Sequence, residues 1–302
     1  MQRINCLSRE EWLLKRRNGI GSSDAPALLD VPGYTWGTPW SIWAEKRGLL
    51  APKKTSSAMR LGHLLEPVVA KLYEEQSGEP VIDTGDHCLF FNEDRNYQFC
   101  TPDRLTPMRY VEIKIVGGGI FNLWKKGLPL AYQIQCQHQL AALDADLVTI
   151  VALFGQDFTI RTFNIYRHER LIKAMNGIES DFWSMVTEKE PPDVIARDSE
   201  HVQRIIVDPD TPTVELDRSF LEIDRERQQL EEEIKAATEA KSKLDAQVKS
   251  AIGQAEVATI NGVEAFSFKA NSRGARTLRR LFSGELPIHE PTLAEELATV
   301  SI

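Results

Sequence analysis

One stretch limits the folds open to this chain more than any other. It runs from Phe99 to Val116 and contains Thr101-Pro102-Asp103, then Thr106-Pro107-Met108-Arg109, then Tyr110-Val111-Glu112-Ile113-Lys114-Ile115-Val116. Tyr110 to Val116 alternates apolar and charged residues, is rich in β-branched side chains and is closed by Gly117-Gly118-Gly119, which predicts a strand. A period of two puts Glu112 and Lys114 on one face and Val111, Ile113 and Ile115 on the other. Pro107 at the second position of a tight turn predicts that Phe99 to Leu105 returns as the partner strand. Counting outward then pairs Leu105 with Tyr110, Arg104 with Val111 and Asp103 with Glu112. Carboxylates that close repel each other, and a hard divalent cation with oxygen ligands relieves the repulsion. Lys114 beside it could orient or deprotonate a bound water. The ordinary alternative is an amphipathic hairpin with solvated charges, so the rest of the chain has to decide.

Composition narrows the surroundings. A chain of 302 residues with 42% hydrophobic content is long enough for a large domain and an appendage. The net charge of −8 argues against a protein that coats nucleic acid through its overall field, while leaving room for a local basic channel. The start, MQRINCLSREEW, lacks an apolar signal core, and no long apolar run follows, so the expectation is a soluble, cytoplasmic protein with no membrane contact. Cys6, Cys88, Cys100 and Cys136 lack the spacing of a zinc site or disulfide framework.

Ser8 with Glu11 forms a capping box that opens a helix through Trp12 toward Arg17, stopping at Gly19. Gly19-Ile20-Gly21-Ser22-Ser23-Asp24 then makes a loop of hydroxyls leading into a second short helix. Its amides, with Ser22, Ser23 and the nearby Arg17, could hold a phosphate; a plain helix cap is the alternative. Thr38 to Gly48 reads as a capped helix with Pro39 in its first turn. Met59 to Gln76 carries Leu61, Leu64, Leu65, Val68, Val69, Leu72 and Tyr73 at helical spacing, predicting one buried face. Glu66 stands on it beside Pro67, as a helix-start charge or as a third carboxylate aimed at the hairpin. Val81–Asp83 and Cys88–Phe91 are predicted strands. Pro129 to Leu143 is a glutamine-rich helix on which Tyr132, Gln135 and Gln139 share a side. Leu147–Phe154 and Asp157–Ile165 read as a hairpin joined at Gly155-Gln156, and Glu169–Thr187 as an amphipathic helix before Pro191-Pro192.

With these pieces in order the sequence resembles the PD-(D/E)xK nuclease superfamily, and within it the YqaJ-like viral recombinase family that includes the phage lambda exonuclease. The resemblance rests on Trp12 to Arg17 with Gly19 to Asp24, on Gly62 with Glu66, on Thr101-Pro102-Asp103, on Glu112-Ile113-Lys114, and on Tyr132 with Gln135 and Gln137. It implies an α/β fold with a mixed central sheet flanked by helices. It also implies an exonuclease that degrades one strand of linear duplex DNA from the 5′ end and leaves a 3′ tail for a single-strand annealing protein. Asp103, Glu112 and the Ile113 carbonyl would ligate Mg²⁺, for which Mn²⁺ could substitute, with Glu66 reaching the metal directly or through water. Lys114 would position the attacking water and Gln135 the scissile group. Arg17, Ser22, Ser23 and Thr101 would hold the terminal phosphate beside Tyr132. The resemblance further implies a homo-oligomer, a trimeric ring in the phage relative.

The last third departs from that relative. The expected organisation is a nuclease core over 1–192, a linker over 193–212, a long helix over 213–253, and a hairpin with a basic segment over 254–302. Phe220, Ile223, Arg227, Leu230, Ile234, Ala237, Lys241, Leu244 and Val248 step by three and four, a heptad seam interrupted by two cations. Asn261-Gly262 predicts a tight hairpin. Arg273, Arg276, Arg279 and Arg280 follow at spacing that would line one helix face and offer a DNA contact.

Overall fold

The computed structural model describes residues 1–85, 87–211 and 213–284. The chain divides into two compact units, Met1–Pro209 and Asp210–Ile302. In the first unit the helices are α1 (Arg9–Arg16), α2 (Ala25–Leu28), α3 (Pro39–Lys46), α4 (Ser57–Ser77), α5 (Phe121–Trp124), α6 (Leu130–Leu143), α7 (Glu169–Glu188) and α8 (Ser199–Val202). Its strands are β1 (Gln2–Asn5), β2 (Ile20–Gly21), β3 (Ile82–Asp83), β4 (Cys88–Phe91), β5 (Gln98–Cys100), β6 (Arg104–Leu105), β7 (Tyr110–Val116), β8 (Leu147–Phe154) and β9 (Thr159–Tyr166).

The central sheet is mixed, in the order β3-β6-β7-β8-β9, with β7 and β8 parallel and the other neighbours antiparallel. Strand alternation decides what covers it. Val111, Ile113, Val151 and Leu153 face α4 through Val69, Ala70 and Tyr73. Val148, Ile150, Ala152 and Phe154 face Tyr132, Cys136 and Leu140 of α6. A second sheet, β1-β4-β5-β2, stands beside it, and Leu89, Phe91 and Phe99 form a separate apolar cluster there.

Several local expectations change. Arg104 pairs with Val111 and Leu105 with Tyr110 as predicted, but the partner strand is broken: β5 and β6 belong to different sheets. The break falls at Thr101-Pro102-Asp103, where Pro102 has no N–H for a ladder and its carbonyl accepts from the Thr84 hydroxyl at 2.6 Å. α4 runs through Pro67 without ending, and the residues it buries are Val69, Ala70 and Tyr73. Leu61, Leu64, Val68 and Leu72, which share the helical period, are exposed. The turn between β8 and β9 spans Gly155–Phe158, wider than the pair of residues expected, with Phe158 at positive φ. Beyond α7 the chain returns to the body of the same unit: Asp198 is fully buried, and Leu50 bridges to Ile205. Asp198 and Ile205, within the span read as a linker, therefore contact the rest of the first unit.

The second unit holds α9 (Phe220–Ile252), which begins later than predicted, and an antiparallel sheet of β10 (Val257–Ile260), β11 (Val263–Ala270) and β12 (Arg276–Arg280). The hairpin turns at Asn261-Gly262, both at positive φ. The arginine stripe is corrected. Arg276, Arg279 and Arg280 lie on a strand and Arg273 in the turn before it, so they do not share a helix face. Arg-Thr-Leu-Arg-Arg fits both periods, and the open edge of β11 selects the extended one. Arg276 is turned inward, donating to the carbonyls of Phe268, Gly253 and Ala255. Residues 285–302 of the segment read as basic lie outside the described residues.

Candidate active site

Glu112 is the centre of a buried polar cluster. β7 turns it toward α6, and only 4% of it is exposed. Its Oε1 accepts from Lys114 Nζ at 2.5 Å and from Gln135 Nε2 at 2.6 Å, and its Oε2 accepts from Gln139 Nε2 at 2.6 Å. Gln135 and Gln139 are one helical turn apart, which lets both reach one carboxylate. An ammonium and two amides together offset the cost of burying the charge. Gln139 was read only as part of a polar face; its own Oε1 is buried with no partner among the described residues, an acceptor left over for water or ligand.

Asp103 stands just before β6, and its Oδ2 accepts from the Ile113 amide at 2.7 Å. Burial pushes its carboxyl well above the usual carboxylate range, with Glu112 and Glu66 adding to the shift; Lys114 and the Ile113 amide act against it. Burial alone would depress Lys114, but Glu112 and Asp103 outweigh it and raise the ammonium above its ordinary value. Lys114 Nζ also lies 5.3 Å from the centre of the Tyr132 ring.

Carboxylates are donors for a hard cation, which would relieve the Glu112 repulsion that adds to the burial shift on Asp103. Among the described residues no three His, Cys, Asp or Glu side chains converge as metal ligands, so Asp103 and Glu112 are the side-chain donors on offer. The residues fit a cation on those terms. Glu66 is held by Arg104 Nη1 at 2.6 Å, and the same Nη1 donates to the Asp103 carbonyl at 2.6 Å. Arg104, expected only as a strand partner of Val111, thus fastens Glu66 to the segment that carries Asp103.

The glycine-serine loop leaves the second sheet at β2. β2 runs parallel to β5, with Ile20 beside Gln98 and Gly21 beside Phe99, so Ser22 and Ser23 emerge alongside Thr101. Ser22 is buried and Ser23 exposed. Asp24 Oδ2 accepts from the Gly21 amide at 2.9 Å and pairs with Lys46 Nζ at 2.7 Å. Burial opposes the charge on Asp24, but Lys46 and Arg16 overcome it and lower the carboxyl. The Arg17 guanidinium lies against Gly48 and lines a cleft of about 500 Å³ with Lys15, Lys46 and Arg47. Arg16 lies over the Trp12 ring at 4.6 Å and the Phe99 ring at 5.2 Å, on the side of Gly21 and Asp24. Successive helix residues differ by about 100°, so Arg16 and Arg17 leave α1 on different sides, Arg16 toward Gly21 and Arg17 toward Gly48.

Behind the cluster, His138 is fully buried between two acceptors: Glu179 Oε1 at 2.8 Å from Nδ1 and the Phe99 carbonyl at 3.0 Å from Nε2. Gln98 Nε2 supplies Glu179 with a further hydrogen bond at 2.5 Å. Two acceptors at one imidazole call for protons on both nitrogens. Burial lowers the His138 pKa, but Glu179 and the Phe99 carbonyl raise it by more, in agreement with the geometry. The pair ties α6 and α7 to β5, immediately ahead of Thr101.

Residues 11–146, which contain Glu66, Asp103, Glu112, Lys114, Gln135 and Gln139, match the YqaJ-like viral recombinase domain. This segment is similar to that family's domain. A curated relative of the domain, the uncharacterised protein YqaJ of Bacillus subtilis, is 30% identical over 185 residues, covering 59% of this chain and 56% of that protein. The chain thus spans little more than half of that relative's length. Among solved structures, an alkaline exonuclease from Laribacter hongkongensis is similar at a TM-score of 0.50 and 21% identity, over 60% of this chain and 94% of its own. Its complex with dAMP matches equally well. The likeness to that structure shows a shared mixed α/β fold.

Proposed function

We propose that the protein is a metal-dependent deoxyribonuclease that degrades one strand of linear duplex DNA from its 5′ end, leaving a 3′ tail for strand-annealing recombination. The observation that carries this reading is the joint placement of Asp103, Glu112 and Lys114 at the broken strand pair, with two glutamine amides on Glu112. The family and the alkaline exonuclease from Laribacter hongkongensis, known also in complex with dAMP, support it.

Asp103, Glu112 and the Ile113 carbonyl would hold Mg²⁺, or Mn²⁺ in its place, with Glu66 joining through water from its position on Arg104. The bound cation would supply Lewis acidity toward the phosphate and an acidified water. Lys114 donates from Nζ and orients the water. Gln135 and Gln139 fix the rotamer of Glu112, and Tyr132 walls the site beside Lys114. At the far end of the β2–β5 pair, Ser22, Ser23 and Thr101 with Arg16 would receive a 5′ phosphate and give the reaction its polarity. Arg279 and Arg280, exposed on β12, and Arg273 in the turn before it remain candidates for a separate contact with duplex. Oligomerisation and an annealing protein as partner belong to the same proposal.

Digestion of end-labelled linear duplex with and without Mg²⁺, beside a closed circle, tests it. Nucleotides should be released from the linear substrate alone and only with the metal. Cutting of the circle would make the enzyme an endonuclease, and no release from either would reduce the chain to a DNA-binding protein.

A further inference from the structure

We propose that Trp36 is a stacking platform for a nucleobase of the strand that passes Lys114. The inference rests on the nuclease reading and adds a substrate contact to it. Trp36 is 44% exposed, although its neighbours are not: Tyr34 and Tyr132 are 9% and 8% exposed. The indole meets Tyr34 edge-on at 5.3 Å between centroids and Tyr132 at 5.9 Å. Tyr132 in turn contacts the buried Trp124 at 5.2 Å and has Lys114 Nζ 5.3 Å from its ring centre. A row of aromatics therefore leads from the water-orienting lysine to an indole in solvent.

A scattered exposed apolar side chain needs no explanation. This one is different because the backbone around it is anchored while the ring is left open. Arg197 Nη1 donates to the Tyr34 carbonyl at 2.7 Å, and Lys53 Nζ donates to the Trp36 carbonyl at 3.0 Å. The Thr38 hydroxyl donates to the fully buried carboxylate of Asp198, and the Tyr34 hydroxyl donates to the Ser23 carbonyl at 3.0 Å. Tyr34 thus joins the glycine-serine loop to the platform, so a strand held by its end at Ser22 and Ser23 is presented to Trp36. Anchoring lowers the entropy lost when a base lands on the ring. An indole accepts any base through its π-face, which suits an enzyme that must advance regardless of sequence. Lys53 and Lys114 at either end of the row favour an anionic strand over an apolar ligand.

Equilibrium binding of a 3′-labelled, 5′-phosphorylated duplex with a short 5′ overhang, read by anisotropy without divalent metal, separates this contact from hydrolysis. Each of the first several nucleotides is replaced in turn by an abasic one. Trp36→Ala should weaken binding about tenfold, within the range of one lost stack, and Trp36→Phe should recover most of it. At one position the abasic substitution should weaken the wild type by the same factor and leave Trp36→Ala unchanged. Unaltered binding by Trp36→Ala overturns the proposal, as does a loss that adds to every abasic position alike, the mark of a structural effect. Stacking detected in a protein that releases no nucleotides would sink the nuclease reading and keep the platform.

Discussion

α6 and α9 are both helices whose sequences announce an amphipathic pattern, and they use it in opposite ways. α6 buries its polar residues: Gln135, Gln137, His138 and Gln139 are all less than 9% exposed, and every one has a hydrogen-bonding partner. α9 exposes its apolar ones, with Phe220, Ile223, Leu230, Ile234 and Leu244 between 47% and 65% accessible in the described chain. Arg227, in that seam, pairs with Asp224 and Glu231 of its own helix, and Lys241 pairs with Asp245. A periodic pattern defines a face. What covers the face decides whether its residues bind, react or wait for a partner.

The sharpest way to break the contrast is at the cluster α6 serves. Lys114→Ala should lower nucleotide release by roughly a thousandfold, in the range of a lost acid–base or orienting group, while duplex binding persists. Single-turnover digestion checks the first and anisotropy the second; wild-type rates in the variant would remove Lys114 from the mechanism. His138→Leu should destabilise the first unit by about 3–5 kcal/mol, because Glu179 is left buried without its charge partner. Urea unfolding followed by Trp fluorescence measures this, and a double variant that also carries Glu179→Leu should regain part of the loss.

The same pair predicts a pH dependence. The folded His138 pKa lies above its unfolded value, so the stabilisation is complete below the ordinary histidine range and disappears as pH rises through the raised folded value. Unfolding midpoints should therefore fall on the alkaline side in the wild type, and that slope should be absent in His138→Leu. On α9 the expected effect is smallest. Ile234→Glu should change the stability of the isolated chain by less than about 0.5 kcal/mol, as at other exposed sites. A large loss of stability, or a change in sedimentation, would show that the seam is covered in solution.

The parts of the fold that could be read in advance were those set by short-range rules. Proline in the turn and alternation along Tyr110–Val116 defined the register of β6 on β7, and Thr38 with Pro39 defined the start of α3. The carboxylate cluster was legible because Asp103, Glu112 and Lys114 are linked by a single turn. Arg104 was not, since an arginine in a strand next to an acid gives no sign that it will bridge to Glu66 on α4. Arg16 and Arg17 differ by one helical step, and the choice between them depends on how α1 lies on Phe99, which no local pattern carries. The buried role of His138 needed Glu179, far along the chain, and the strand at Arg276–Arg280 needed the free edge of β11.

The bond from Thr38 to Asp198, with the one from Arg197 to the Tyr34 carbonyl, bears on where this protein can be cut. A fragment ending at Pro192 would retain the whole family match and every group around Glu112. It would also release two of the tethers on residues 34–38 and leave a helix cap short of its buried acceptor. Similarity marks residues 11–146, and these two bonds mark how much more chain is needed to hold them still.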